Sequence, residues 1–331
     1  MSLTFILSSS LHRELKDKLR EYFPRPIFTL AGEMLAEPKS KNYALIGTAF
    51  DYLLRFHLER INKNCSIKRV KWIAALALEK LEKIVETRER NKNKKNRSEV
   101  DIIRYQQRTE QLNAKYLLAQ SKLDEALENY NQFLEDGILS EKLIISTMFL
   151  AKLDAYFRIG LLEDTMAEYD NNDVDDLKGL ISIVPFSNFT ATNKCYFNPT
   201  FGEGSRMVGG ADADIIIDDT LYDFKVVKDL KLEREHLNQI IGYYVLSQIG
   251  GINKNKNEKS IKNIGIYFAR HGIILKFCIA DFNTSDKILE FIDWFQQYMK
   301  SNTPYGFITQ DFEEIIEPKK LTKSKPHRKS K

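Results

Sequence analysis

The sequence predicts an α/β protein with a central mixed β-sheet flanked by helices, preceded by a mainly helical N-terminal region. Apolar residues recur at helical spacing through 1–176, which indicates amphipathic helices. Over 177–300 the pattern changes to short apolar runs separated by proline and glycine, which is typical of strands and turns. The final stretch, 301–331, ends in Lys and Arg residues, and we expect it to be a disordered basic tail.

The composition is that of an ordinary globular protein. The 331 residues are 43% hydrophobic and 29% charged, and this length suffices for two domains or one large one. The formal net charge is only +4, so a surface for nucleic acid requires local clustering of basic residues. Apolar runs stay shorter than the ~20 residues that span a bilayer, and the N-terminus lacks the basic start of a signal peptide. We therefore expect no membrane association.

Cysteine usage indicates the compartment. Cys65, Cys195 and Cys278 are widely spaced and odd in number, which favours a reducing, cytoplasmic location over a disulfide scaffold. Three thiols are also too few for the four thiolates of an iron–sulfur cluster, so no such cluster is expected.

The N-terminal region contains five helical patterns, at 11–19, 45–61, 70–85, 98–133 and 140–159. The fourth is long enough that we expect it to be split. In the second, Asp51 lies one turn beyond Gly47 on the same helix face, and Gly47 allows close approach to the backbone. Asp51 is therefore either a solvated helix charge or a residue that faces a site.

Charged segments separate these patterns. The run 86–98 contains six Lys and Arg residues and predicts a solvated loop, with contact to phosphates as the alternative. The acidic stretch 163–176 lacks the glycine spacing of a calcium-binding loop, so we expect it at the surface. After it, 180–184 and 188–197 are predicted strands, and Glu203 is predicted to be an exposed loop acid.

The most informative stretch predicts a β-hairpin, with strands at 213–217 and 221–227 around a polar turn. Side chains alternate between the two faces of a strand. Asp223 and Lys225 therefore share one face, while Phe224 points to the other.

The partner strand supplies a second carboxylate to the same place. Asp214 lies at the start of that strand, so the hairpin brings Asp214, Asp223 and Lys225 to one end of one sheet face. Asp212 lies two residues earlier on the same face and competes with Asp214 for this position. The alternative is that these acids simply end a strand in solvent.

These residue types suit a particular chemistry. Converging carboxylates raise one pKa of the pair, and a divalent cation relieves that repulsion. Mg²⁺ prefers a few oxygen ligands, retains waters and accepts phosphate oxygens. A neighbouring lysine can orient or deprotonate a water and stabilise negative charge. The set is therefore chemically sufficient to hydrolyse a phosphodiester.

A helix predicted at 232–249 adds two polar side chains. Gln239 and Tyr243 are four residues apart and share a face, where they can bond a phosphate, a metal-bound water or Lys225. The alternative is a pair on the helix surface. His236 could reach the same cleft, but a lone histidine is more often structural, and we leave it out of the site.

Three motifs together resemble a known family. Asp214 followed by Asp223-Phe224-Lys225 resembles the core motif of the PD-(D/E)xK nuclease superfamily. The helix segment 239–243 resembles the Q-x-x-x-Y motif of the RecB-like branch. Upstream, 47–51 is similar to the G-x-x-x-H motif of that branch, with Asp51 in place of His. The core resemblance covers about 180–300 of the chain.

The resemblance implies a restriction-endonuclease-like core and a set of metal ligands. By this match Asp214 and Asp223 hold Mg²⁺ or Mn²⁺, and the Phe224 carbonyl completes the inner shell. Asp51 and Asp212 are further candidate ligands.

The resemblance also implies a metal-dependent deoxyribonuclease, either endo- or exonucleolytic. In it Lys225 places the attacking water, and Gln239 and Tyr243 support the cleft. DNA is the implied partner, although nothing in the residues distinguishes it from RNA. The sequence contains no G-x-x-x-x-G-K-[ST] motif, so a helicase, or another recombination or defence component, would be a separate chain.

The competing hypothesis is a module that keeps the nuclease fold but has altered or lost its activity and binds nucleic acid or a protein partner. Its best support is the missing histidine at Asp51 together with the segment 114–130, which resembles one tetratricopeptide helix pair.

Overall fold

The computed structural model describes residues 2–69, 71–91, 99–160, 162, 164–253 and 255–302. In this part of the chain a mixed six-stranded sheet lies between two layers of helices, which confirms the predicted α/β class. The predicted basic run falls partly, and the basic tail almost wholly, outside the described residues. None of the helices in the described ranges combines the length and the apolarity of a membrane-spanning segment.

The described α-helices, in chain order, are α1 (Leu3–Ser8), α2 (Arg13–Tyr22), α3 (Tyr43–Ile61), α4 (Ile73–Arg90), α5 (Glu99–Asp136), α6 (Glu141–Ile159), α7 (Asn171–Ser182), α8 (Gly202–Met207), α9 (Arg234–Gly250) and α10 (Ser285–Asn302). The strands are β1 (Ser66–Arg69), β2 (Lys194–Phe197), β3 (Ile215–Ile217), β4 (Thr220–Lys225), β5 (Asn263–Phe268) and β6 (Ile273–Cys278).

The strands lie side by side in the order of the chain, from β1 to β6. The pairs β1–β2 and β4–β5 are parallel, and the other three are antiparallel. Strands β2, β3 and β4 thus form an antiparallel unit, after which α9 returns the chain so that β5 can pair in parallel with β4. A parallel neighbour needs such a crossover because a tight turn reverses the chain direction.

Alternation along the strands divides the core between the two sheet faces. In β3, Ile215 and Ile217 pack with the layer formed by α3 to α7, whereas Ile216 packs with the layer of α1, α2, α9 and α10. All three isoleucines are buried, as expected for a strand covered on both faces. The sheet end that carries the predicted site therefore lies between these helical layers.

The strand predicted at 180–184 is wrong, because residues 180–182 form the last turn of α7 and the helix ends there. Asp170 caps the helix by accepting a hydrogen bond from the Asn172 N–H at 2.8 Å, and the apolar residues that follow recur at helical spacing. The surface placement of the acidic stretch is also wrong in part. Asp173 and Asp176 are buried. Their carboxylates accept hydrogen bonds there, Asp173 from Ser40 and Asn42 and Asp176 from Arg270.

Three further expectations need correction, and one element was not predicted. The predicted strand 188–197 is shortened to β2, because Phe186–Phe189 forms a 3₁₀ helix. Helix α5 is continuous rather than split. Glu203 lies in α8, not in a flexible loop. The short strand β1, in the otherwise helical N-terminal region, was not predicted because its polar sequence carries no strand pattern.

Candidate functional site

The β3–β4 hairpin is held by its turn. Asp218 adopts a positive φ of 51°, a conformation that Asp tolerates better than most residues. Its carboxylate accepts hydrogen bonds from the backbone N–H groups of Thr192, Asn193 and Lys194 and from the Thr192 hydroxyl, at 2.7 to 3.0 Å. The turn is thereby tied to the start of β2, which fixes the hairpin on the sheet.

The hairpin register places the two candidate metal ligands side by side. Ile215 pairs with Tyr222, so the next antiparallel position sets Asp214 beside Asp223. Asp214 Oδ2 accepts a hydrogen bond from the Phe224 N–H at 2.6 Å. Asp223 is only 2% exposed. Two acidic side chains thus converge at a largely buried end of the sheet.

A chain of polar contacts links the hairpin to α9. Lys225 Nζ lies 2.6 Å from Asp223 Oδ2 and donates a hydrogen bond of 2.9 Å to Gln239 Oε1. Gln239 Nε2 in turn lies 3.0 Å from the Tyr243 hydroxyl, to which it donates. The structure therefore brings these four predicted residues together. Phe224 points to the opposite face, where its ring packs against Phe189 and Tyr267.

The surroundings of Asp214 disfavour its charged form. Burial is the main cause that raises the pKa of Asp214 well above its usual range, and the charges of Asp51 and Asp223 raise it further. Lys225 and the Phe224 N–H act in the opposite direction. Such a site favours either a proton or a cation between its carboxylates.

Helix α3 contributes a third acid. Burial raises the pKa of Asp51 to about 6, although the neighbouring Arg55 guanidinium opposes the shift. Arg55 Nη2 lies 2.5 Å from Asp51 Oδ2, and the central carbon of the Arg55 guanidinium lies 4.6 Å from the centroid of the Tyr52 ring. Asp51 Oδ1 is buried and has no hydrogen-bond partner among the described residues. One oxygen of Asp51 is therefore engaged and the other is free.

Sequence reasoning missed two residues of α6 that border this cluster. Asp154 is buried and pairs with Arg158 at 2.5 Å, and Arg158 also lies 3.8 Å from Asp212. Asp212 is thus engaged with Arg158, and its backbone bridges to Thr200 rather than extending β3. An Asp followed four residues later by Arg on an apolar helix, the pattern shared with Asp51, is the feature that could have identified this pair.

His236, left out of the predicted site, lies beside it. It is one turn before Gln239 on α9, and its ring contacts Phe268, the register partner of Lys225. Burial and the charge of Lys225 lower the pKa of His236. Its Nδ1 is buried without a hydrogen-bond partner in the described part of the chain.

The donor set can be compared with the needs of a divalent cation. No group of three or more His, Cys, Asp or Glu side chains in the described ranges is arranged to hold a metal ion. Asp214 and Asp223 nevertheless supply two hard oxygen donors at one point, with the unbonded Oδ1 of Asp51 in their electrostatic range. Mg²⁺ commonly binds one or two carboxylates and keeps several waters, so these residues fit such an ion.

Comparisons of the chain with protein-family models, with curated proteins and with solved structures gave no match. A function for this chain therefore depends on the geometry of the site and on the motifs that compose it.

Proposed function

We propose that the chain is a divalent-metal-dependent nuclease of the PD-(D/E)xK type, in its RecB-like branch, that hydrolyses phosphodiester bonds in DNA. The strongest support is the contact chain from Asp223 through Lys225 and Gln239 to Tyr243, beside Asp214. Residues of the β3–β4 hairpin and of the following helix α9 meet here, which supports the proposal. The order of elements along the chain, β2–β3–β4–α9–β5, and the same order of strands in the sheet are consistent with a restriction-endonuclease-like core.

In this proposal Asp214 and Asp223 hold Mg²⁺ or Mn²⁺, with the Phe224 carbonyl as a third donor. The bound cation would supply polarisation of the scissile phosphate and neutralisation of its charge. The Phe224 N–H fixes the orientation of Asp214 by occupying one of its oxygens. The second oxygen of Asp214 is left to face the ion.

Lys225 orients the attacking water and stabilises the developing negative charge. Its ammonium group is held between Asp223 and Gln239, so it reaches the reacting phosphate from a fixed direction. Tyr243 in turn fixes the amide of Gln239. Burial and the charges of Asp212 and Asp223 raise the pKa of Tyr243, so it remains a neutral hydrogen-bonding group.

A cleavage assay tests the proposal. The full chain should cut labelled DNA with Mg²⁺ or Mn²⁺ and not with EDTA, and Lys225→Ala should lose that activity. Lys276→Ala is a matched control, because Lys276 is an exposed strand lysine on β6. Equal cleavage by Lys225→Ala, or none by the wild type on single-stranded, duplex and RNA substrates, contradicts the proposal.

The competing function is a nucleic-acid- or partner-binding module on the same architecture. The Asp51–Arg55 ion pair favours it, because it places an engaged carboxylate where the resemblance has a histidine. Tight binding of nucleic acid without cleavage under any of these conditions would favour this module over the enzyme.

A further inference from the structure

One face of α3 leads from solvent into the candidate site. Tyr43, Gly47, Asp51 and Arg55 are spaced four residues apart, so they form one stripe along the helix. Exposure falls along the stripe: Tyr43 is 50% exposed, whereas the side chains of Asp51 and Arg55 are 21% and 9% exposed. The buried end reaches the acids of the hairpin, since the charge of Asp51 acts on Asp214.

The middle of this stripe is open. A Cβ built on Gly47 would meet no heavy atom within 4 Å. The neighbouring Thr48 hydroxyl is turned back onto the helix, where it donates to the Ala44 carbonyl at 3.2 Å. A chain of slender cross-section can therefore lie against the helix backbone between Tyr43 and Asp51.

The exposed end carries an aromatic ring beside a cation. Lys228 Nζ lies 5.2 Å from the centroid of the Tyr43 ring. Lys228 is exposed, follows Lys225 by three residues, and makes no ion pair with any residue in the described ranges. A phosphate could thus bind Lys228 without displacing a carboxylate.

The backbone that carries this ring is held in place. Asn42, which precedes the helix, donates from Nδ2 to Asp173 at 3.1 Å, and its N–H donates to the Ser40 hydroxyl at 2.8 Å. The start of α3 is thereby anchored to α7. Tyr43 is presented on a fixed backbone, which lowers the entropic cost of binding a flat ligand.

We propose that Tyr43 and Lys228 form an entry platform for an unpaired DNA strand, which passes over Gly47 to the acids of the hairpin. Tyr43 stacks on a base and Lys228 binds an adjacent phosphate. This inference rests on the proposed nuclease function and assigns its substrate class as single-stranded DNA or a single-stranded end. The reason is that stacking requires a free base face, which an unpaired strand offers at every nucleotide and an intact duplex only at its ends.

Binding measured without cleavage tests the platform. Fluorescence anisotropy of a labelled single-stranded oligonucleotide, titrated with the full chain in EDTA, should show about tenfold weaker binding for Tyr43→Ala. Tyr43→Trp should restore the wild-type affinity because it keeps the stacking surface. Lys228→Ala should weaken binding and reduce its salt dependence, since one phosphate contact is lost.

The chain offers a matched control and a second test variant. Tyr169 is 49% exposed on the segment before α7, and Tyr169→Ala should change the affinity less than twofold. The test variant is Gly47→Leu, whose side chain fills the open part of the stripe and should weaken binding by about tenfold. Leucine favours the helical conformation, so α3 should stay folded in this variant. Circular dichroism of each variant checks the fold.

Unchanged affinity in either Tyr43→Ala or Gly47→Leu overturns the inference, as does tighter binding of duplex than of single strand. Different results decide the nuclease proposal. If the wild type binds single strands through Tyr43 yet cuts nothing with Mg²⁺, the platform stands and the enzyme does not. If Lys225 is required for cleavage while Tyr43→Ala binds normally, the enzyme stands and the platform does not.

Discussion

The Asp51 carboxylate and the Arg55 guanidinium form an ion pair one turn apart on α3, with 2.5 Å between Oδ2 and Nη2. Arg55→Met removes the counter-charge of a mostly buried carboxylate. We expect it to lower the free energy of unfolding by about 2 kcal/mol without metal. A bound cation can replace part of the lost charge, so Mg²⁺ should raise the thermal midpoint more in Arg55→Met than in the wild type.

The control for Arg55→Met is Arg90→Met, which removes an exposed partner of Glu86 with the same helical spacing. We expect this change to cost less than about 0.5 kcal/mol and to leave the Mg²⁺ effect unaltered. An equal Mg²⁺-induced rise in midpoint for wild type and Arg55→Met would show that Asp51 is not near the ion.

Cation binding should depend on pH. The pKa of Asp51 is about 6 and that of Asp214 is raised well above its usual range, so both acids retain protons at mildly acidic pH. A protonated carboxyl does not bind the ion, so the affinity for Mg²⁺ should increase as pH rises through about 6. We expect at least a tenfold gain between pH 5.5 and pH 8, with protons released on binding. Calorimetry in two buffers of different ionisation enthalpy measures that release, and equal affinities at the two pH values would contradict it.

Asp218 should make folding sensitive to acid. Loss of solvation alone would raise the pKa of Asp218, but hydrogen bonds from Thr192, Asn193 and Lys194 outweigh it and lower the pKa to about 2. Because the folded-state pKa is depressed below 3.8, the stabilisation is present above pH 4 and is lost as pH falls from about 4 to about 2.

In the Asp218→Asn variant the new side chain tolerates the same turn conformation, but it does not change its charge between about pH 4 and about pH 2. We expect it to lower the free energy of unfolding at pH 7 by about 1 kcal/mol, after allowing for solvent screening. The difference from wild type should vanish near pH 2. Urea unfolding at pH 2.5, 4 and 7 measures this, with Asp124→Asn on the exposed face of α5 as the control. A difference independent of pH would be inconsistent with these hydrogen bonds.

The ion pair between Arg270 and Asp176 is fully buried, with each residue 1% exposed and two contacts of 2.8 and 3.1 Å. Removing one partner leaves a buried charge uncompensated, so Arg270→Met should cost about 3–5 kcal/mol. The double variant with Asp176→Leu should be more stable than the sum of the single changes predicts. Chemical denaturation checks this cycle, and additive effects would argue against coupling. Lys178→Met, which removes an exposed pair with Glu141, should have almost no effect.

The β3–β4 hairpin could be predicted from the sequence because its determinants are local. An apolar run, a polar turn and a second apolar run lie within fifteen residues, and their alternation alone assigns Asp223 and Lys225 to one face. The helix with Gln239 and Tyr243 was predictable for the same reason, since its apolar residues and the Gly250-Gly251 pair at its end are local in sequence.

The features that could not be predicted from the sequence depend on contacts between residues far apart in the chain. Helix α7 was mistaken for a strand at 180–184, because the partners that bury its Asp173 and Asp176 lie about 90 or more residues away. Strand β1 has a polar sequence and is recognised only through its pairing with β2. Asp51 and Asp214 are 163 residues apart in sequence, and the influence of one charge on the other likewise depends on tertiary packing, which sets α3 against α6 and α7.

Calorimetric titration of Mg²⁺ into the full chain, without nucleic acid, tests most directly whether Asp214 and Asp223 share one ion. We expect the wild type to bind the ion, and Asp214→Asn and Asp223→Asn each to weaken binding at least tenfold. Asp229→Asn, an exposed acid on the segment after β4, should bind as the wild type does. No binding by the wild type, or equal affinity in all four proteins, would contradict the metal site and with it the proposed nuclease.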